Sequence, residues 1–192
     1  MTQAGGWQRE AQPDLAVERI LDAADEAFAR HGVSSVGMAR IAEFAGCSRG
    51  TLYRYFPTRH ALHAAYVDRA ALRVIARVRE RLAGIRDPRE RLAEGILASV
   101  AEVRAHPGTA AWFAGGAQAS AARMSRASEL VVRLTRRFVA EIVGPASGDA
   151  ESRLGASWLV RVILSLLSNP GADDAEERRL VERFATPGFF GR

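Results

Sequence analysis

The chain has 192 residues, 48% of them hydrophobic and 26% charged, with a net charge of +5, the make-up of an ordinary globular protein long enough to bury a real core. A single cysteine, Cys47, excludes a disulfide framework within the chain and fits a reducing cytoplasm. The opening MTQAGGWQREAQP lacks the apolar core of a signal peptide, and the longest apolar run, Trp158–Leu167, is too short and too interrupted by Arg161 to span a membrane.

All 27 basic residues are Arg, a pattern that reads as coding bias toward GC-rich codons rather than as selection for arginine. Residues 1–60 balance seven Arg against seven acids, so net charge does not single out this end of the chain. Local placement does. Asp14, Glu18, Asp22, Asp25 and Glu26 crowd one stretch, while Arg40, Arg49, Arg54 and Arg59 face only Glu43 in the next. One face turned toward phosphate and one turned away would produce that division.

In chain order the pattern is all-helical, with Gly and Pro between segments and no sustained two-residue alternation. Residues 1–12 read as a flexible arm. A first helix over about 14–30 sets Val17, Ile20, Leu21, Ala24, Ala27 and Phe28 on one face. Short helices over about 38–44 and 49–55 flank Ala45-Gly46-Cys47-Ser48. Thr58 is placed to cap a long fourth helix over about 59–82. Asp87-Pro88-Arg89-Glu90 opens a fifth that stops at His106-Pro107. A short segment at 109–113 follows, then long helices over about 120–143 and 150–167. Asp173, with Glu176 three residues later, caps a last helix running to about 184. That makes about nine helices.

Residues 41–56, IAEFAGCSRGTLYRYF, read as helix, glycine turn, helix. Ile41, Ala42 and Ala45 form an inner face, Gly46 permits the reversal, Ser48 caps the second helix, and Leu52 and Phe56 pin it to the core. Arg49, Gly50, Thr51, Tyr53, Arg54 and Tyr55 are left outward. Arginines, hydroxyls and a glycine that allows close approach are what groove and phosphate contacts use. A purely structural or protein-binding three-helix element is the competing reading.

The stretch from Arg19 to Tyr66 resembles the DNA-binding domain of the tetracycline-repressor-like (TetR) family. The shared pattern is a first helix ending in Ala-Phe…Gly, then Ile41-Ala42, Ala45-Gly46, Ser48, Gly50-Thr51-Leu52-Tyr53, Tyr55-Phe56 and a basic residue shortly after Pro57. The resemblance implies an all-α protein, with an N-terminal three-helix helix-turn-helix domain at 13–60 and a C-terminal ligand-sensing and dimerisation domain at 61–192. It implies DNA contacts from Arg49, Gly50, Thr51 and Arg54 to bases or nearby phosphates, and from Tyr53, Tyr55 and Arg59 to the backbone, with Ser48 at the cap. Two positions depart from the family pattern. Gly37 stands where a Ser or Thr cap is usual, and Ala39 where a polar side chain often touches DNA; Arg40 is the candidate substitute.

Because family members enclose ligands between their middle helices, Ile96, Val100, His106, Trp112, Phe113 and Met124 are candidate walls of an effector pocket, with ordinary core packing as the alternative. Arg69, Arg73, Arg77 and Arg81 form an i, i+4 row, either solvated or reaching an anionic ligand or neighbouring acids. Cys47 reads as packing rather than as a redox sensor. Trp158, Leu159, Val162, Ile163, Leu166 and Leu167 make a segment apolar nearly all round. That favours a dimer interface, and the family pairs its last two long helices into a four-helix bundle.

The expectation is a cytoplasmic homodimeric regulator, usually a repressor, that binds a palindromic double-stranded DNA operator and responds to a small apolar or amphipathic effector. No metal site, cofactor or catalytic constellation is expected, so it is not read as an enzyme. The rival is a helix-turn-helix regulator with no effector, acting through a protein partner; a scaffold that kept the fold but lost DNA is a further one.

Overall fold

The computed structural model describes residues 13–114, 117–144 and 148–190, and the expected arm at 1–12 lies outside the described residues. The described chain is helical throughout, with no strand among those residues: α1 (Pro13–His31), α2 (Met38–Ala45), α3 (Arg49–Tyr55), α4 (Arg59–Arg81), α5 (Pro88–Ala105), α6 (Pro107–Ala110), α7 (Gln118–Ala127), α8 (Glu129–Val143), α9 (Asp149–Ser168) and α10 (Asp174–Leu180), which runs through a π-helical turn (Val181–Ala185) toward α11 (Pro187–Phe190). The caps read from sequence form. Thr58 Oγ1 accepts from the Ala61 amide at 3.0 Å, Asp87 from Glu90 at 2.8 Å and Asp173 from Glu176 at 2.6 Å. The helix expected over 120–143 is two helices. Ser128 takes an extended backbone and its hydroxyl accepts from the Val131 amide, which starts α8 afresh.

The chain divides into two compact units. One comprises the chain as far as Arg69 together with His106–Ala121; the other comprises Ala70–Ala105 and the chain from Ala122 onward.

The first unit is organised around α1. Its apolar face buries Ile20, Ala24, Ala27 and Phe28 completely, alongside Ile41, Leu52 and Leu62. Phe28 sits in an aromatic cluster, edge-on to His63, Tyr66 and Trp112 at centroid distances of 5.5, 5.2 and 5.7 Å. Tyr66 donates to Asp25 at 2.5 Å, and Arg69 reaches Asp22 at 2.6 Å and Glu18 at 3.1 Å, so the start of α4 is bound to α1 by apolar and polar contacts together. The α6 segment closes on the same helix. A Cβ on Gly108 would lie 2.1 Å from Asp25 Oδ1 and 2.7 Å from the Tyr66 hydroxyl, so only glycine allows this approach. His63 is buried, and desolvation, with Arg59 and His60 nearby, lowers its pKa to about 4, so it is neutral at pH 7.

The second unit packs α5 against α8 and α9 around Leu92, Ile96, Val100, Leu159 and Leu164. A buried carboxylate fixes the end of the chain to α5. Glu177 accepts from Arg104 at 2.7 Å and from the Gly171 amide at 3.0 Å, and Arg104 also donates to the Leu166 carbonyl at 2.9 Å. These bonds hold the Glu177 carboxyl below its ordinary range despite its burial. Arg178 pairs with Glu94 of α5, and Arg89 lies 4.9 Å over the Phe190 ring.

The folded protein refuses a proton at His63 that the unfolded chain accepts, so stability falls as pH drops from 6.5 toward 4 and is unaffected by this group above 6.5. In His63→Phe, the loss of unfolding free energy between pH 7 and pH 5 should be smaller than in the parent by about 2 kcal/mol, measured by urea titration at both pH values. Gly108→Ala should push Asp25 and Tyr66 apart and destabilise by about 1–3 kcal/mol, seen as a melting temperature lower by roughly 3–10 °C.

Candidate nucleic-acid interface

The reversal between α2 and α3 is made by local bonds. Gly46 is left-handed (φ 65°, ψ 32°), and its amide bonds back to the Ala42 and Glu43 carbonyls. The Cys47 amide also returns to Ala42 at 3.0 Å. Ser48 then caps α3, accepting from the Thr51 amide at 3.0 Å, with its hydroxyl 3.0 Å from that of Thr51. Leu52 is completely buried and Phe56 nearly so. With Leu52 turned inward, the helix has one orientation left. Arg49, Gly50, Tyr53 and Arg54 are exposed, while Thr51 and Tyr55 are half-buried at the edges.

This face is held open. Among the described residues neither Arg49 nor Arg54 pairs with a carboxylate, whereas Arg30 pairs with Glu26, and Arg40 with Glu43 at 3.2 Å. Arg54 lies over the Tyr55 ring at 5.1 Å, which stiffens it without neutralising it. Arg40 is exposed but occupied by Glu43 and by stacking over Phe44 at 5.8 Å. Arg59 donates to the Val33 carbonyl at 2.7 Å, which ties the start of α4 to the α1–α2 turn and leaves its other nitrogens uncommitted. Gly37 begins α2 with no side-chain cap, and Ala39 is exposed. The Cys47 thiol is pushed up by burial, with Arg19 opposing, so it is a poor nucleophile and packs the turn.

The other candidate residues fall into both units. His106, Trp112 and Phe113 belong to the first, where Trp112 is 3% exposed and stacks on Tyr66 at 5.8 Å. Ile96, Val100 and Met124 belong to the second and are buried there. On α9, Leu159, Leu166 and Leu167 are buried within the chain's own packing, Val162 and Ile163 are half-buried, and Trp158 is exposed. Composition did not single out Leu154, Leu180 and Phe184. They are 64%, 41% and 66% exposed, against 46% for Trp158. The i, i+4 spacing of Leu154 with Trp158 and of Leu180 with Phe184 is the signal that could have found them.

Comparison with known proteins matches residues 20–66 to the N-terminal model of the tetR family of bacterial regulatory proteins. An uncharacterized HTH-type transcriptional regulator of Mycobacterium tuberculosis is 39% identical over 181 residues, covering 94% of this chain and 89% of that one. The HTH-type transcriptional regulator UidR of Escherichia coli is 41% identical over 78 residues, 41% of this chain and 39% of its own. Among solved structures, the TetR family repressor AlkX from Dietzia sp., implicated in biodegradation of n-alkanes, aligns over 90% of this chain and 94% of its own, with a TM-score of 0.65 and 23% identity. RolR in complex with resorcinol aligns over 93% and 98%, with a TM-score of 0.64 and 23% identity. These last two likenesses are likenesses of fold.

Gly37 has an extended backbone (φ −99°), and a Cβ there meets nothing within 4 Å. Gly37→Ser should therefore add the missing cap without strain and restrict the unfolded chain, stabilising by about 0.5–1 kcal/mol. A thermal melt should show a rise of roughly 1–4 °C.

Proposed function

Since this chain belongs to the TetR family of bacterial transcriptional regulators, a DNA-binding family, we propose that it binds a palindromic operator as a homodimer and represses until a small molecule releases it. The observation that carries the reading is the solvent face of α3. Two arginines that pair with no carboxylate among the described residues, a glycine and a tyrosine are presented together by a capped helix whose opposite side is anchored by Leu52. Arg49 and Arg54 supply forked donors for guanine edges or phosphates. Gly50 lets the backbone approach the groove wall, and the Ser48–Thr51 pair offers hydroxyls at the N-terminal end, where the helix dipole favours phosphate. Tyr53, Tyr55, Arg59 and Arg40 flank this face as backbone contacts. Such a protein works where the DNA is, in the cytoplasm.

Two copies are needed because one seven-residue helix reads only a few base pairs. Leu154 and Trp158 on α9, and Leu180 and Phe184 on α10 and its π-helical turn, are large apolar side chains left in water by the single chain. Burying them against a second copy supports the dimer, with Val162 and Ile163 at its edge. The effector reading is supported by the fold shared with RolR, which was solved with resorcinol. An effector acts by binding one conformation of the dimer better than the other, so its differential affinity sets the release.

A double-stranded sequence selected from a random pool by the parent protein should be an inverted repeat. Arg49→Ala and Tyr53→Ala should each weaken its binding by about 10- to 100-fold, with the double variant beyond detection. Fluorescence anisotropy against salt should give a shallower slope wherever a substitution takes away a phosphate partner, and sedimentation should show the dimer unchanged. Binding that survives both substitutions would remove α3 from the interface.

A further inference from the structure

The arginines of α4 are not treated alike. Arg69 pairs with Asp22 and Glu18, Arg77 with Glu80 at 3.0 Å, and Arg79 with Glu141 at 2.9 Å. Arg81 is exposed, where water serves. Arg73 differs. Its Nε and Nη2 atoms are both buried from solvent, and neither has a hydrogen-bond partner. No ion pair reaches Arg73 among the described residues. Among the described residues the chain thus supplies carboxylates to Arg69, Arg77 and Arg79 and none to Arg73, a half-buried side chain whose Nε and Nη2 have lost water without gaining a partner, an unfavourable state for donors on a charged group.

The two orphaned atoms are not an arbitrary pair. Nε–H and the adjacent Nη2–H lie on the same edge of the planar guanidinium and point in parallel. That edge matches the two oxygens of a carboxylate, which accept both bonds at once. One edge of one guanidinium balances one negative charge, so it suits a monocarboxylate better than a phosphate dianion. The position agrees: Arg73 lies within the second unit, four residues after the Arg69 clamp on the same helix.

We propose that Arg73 is the anion-binding residue of the effector site, and that the effector is an organic monocarboxylate whose acid group forms a two-bond pair with Nε and Nη2. This inference rests on the effector-sensing reading above and adds the chemical class to it. The rest of the effector is apolar, in keeping with the aliphatic packing of this unit.

The test uses the full-length protein and thermal melting at constant ionic strength. The probes are the straight-chain carboxylates from acetate to dodecanoate, with benzoate and phenylacetate, each beside its primary amide, and octyl phosphate as the dianion. At a hundredfold excess over its Kd, at least one carboxylate should raise the parent's melting temperature by about 5 °C or more. Its amide should not, and Arg73→Gln should weaken the carboxylate at least tenfold while ligand-free operator binding is retained. The same carboxylate should release the parent from the operator. In the ligand-free protein, Arg73→Leu should melt at or above the parent, because it removes two buried donors that have no partner.

The proposal is overturned if amides act as well as acids, if octyl phosphate outperforms every carboxylate, if Arg73→Gln responds like the parent, or if no carboxylate shifts the parent. It is also overturned if Arg73→Leu melts well below the parent, which would make the guanidinium a structural group. The amide arm separates the two readings. Amides that stabilise the parent and release DNA leave effector sensing standing and discard the acid, whereas silence from every probe counts against both.

Discussion

What α3 shows to solvent depends on one burial, that of Leu52. A helix of seven residues has no stability of its own in water, because nucleation consumes most of what its few hydrogen bonds return. Its existence and its rotation about its axis are imposed from outside. Ser48 starts it and Leu52, completely buried, turns it. Had the inward position fallen one residue earlier or later, the helix would rotate by about 100° and present different side chains. The exposed set of Arg49, Gly50, Tyr53 and Arg54 is therefore a consequence of the core. α3 packs on α2, and α2 on α1, whose buried face carries Ile20, Ala24 and Phe28. The acidic stretch on α1 serves the same end, since Asp22 and Glu18 hold Arg69 and so fasten the middle of α4 to α1.

That dependence also explains which features are legible in the sequence. Caps are local chemistry: a short polar side chain, an amide three residues on, and a change of backbone region. Thr58, Asp87 and Asp173 are legible because each precedes an apolar helical pattern. Gly46 is legible because a tight reversal needs a left-handed residue, and the pattern on either side is helical. Ser128 is not, since serine in an uninterrupted helical pattern can lie on a solvated face as easily as begin a new helix. The hydroxyl's choice of the Val131 amide depends on packing that neighbouring residues do not reveal.

Longer-range placements are less legible for the same reason. Trp112 follows α5 by only a few residues, yet its ring is in the aromatic cluster with Phe28, His63 and Tyr66. Nothing local to Trp112 says so; the pairing spans most of a hundred residues. The all-round apolar stretch on α9 is legible as buried on more than one side, but not as to by what. Leu159, Leu166 and Leu167 are covered by the chain itself, while Leu154 and Trp158 are not. Arg59 shows a third kind of ambiguity. A guanidinium has five donors, and its bond to the Val33 carbonyl occupies one nitrogen, so the same side chain can fasten α4 and still face a phosphate.

The α4 helix gives these pieces a physical connection. It is continuous from Arg59 to Arg81, and an α-helix rises 1.5 Å per residue, so Arg73 lies about 6 Å along the axis from Arg69. Arg69 is neutralised by α1, and Arg77 by Glu80 with Glu102 nearby. Arg73, between them at i, i+4 spacing, has no carboxylate partner among the described residues. A carboxylate on Arg73 would add two charge-assisted bonds on α4 one turn from the clamp that fastens it to α1. Coupling of this kind is reciprocal: if the anion is bound more tightly in the conformation that has left DNA, then DNA weakens the anion by the same factor. Two guanidinium N–H groups shut off from water without a partner are unfavourable in every conformation that buries them. Because α4 runs through both units, a ligand that fills the orphaned edge of Arg73 in one conformation only would act on the same helix that carries the Arg69 clamp.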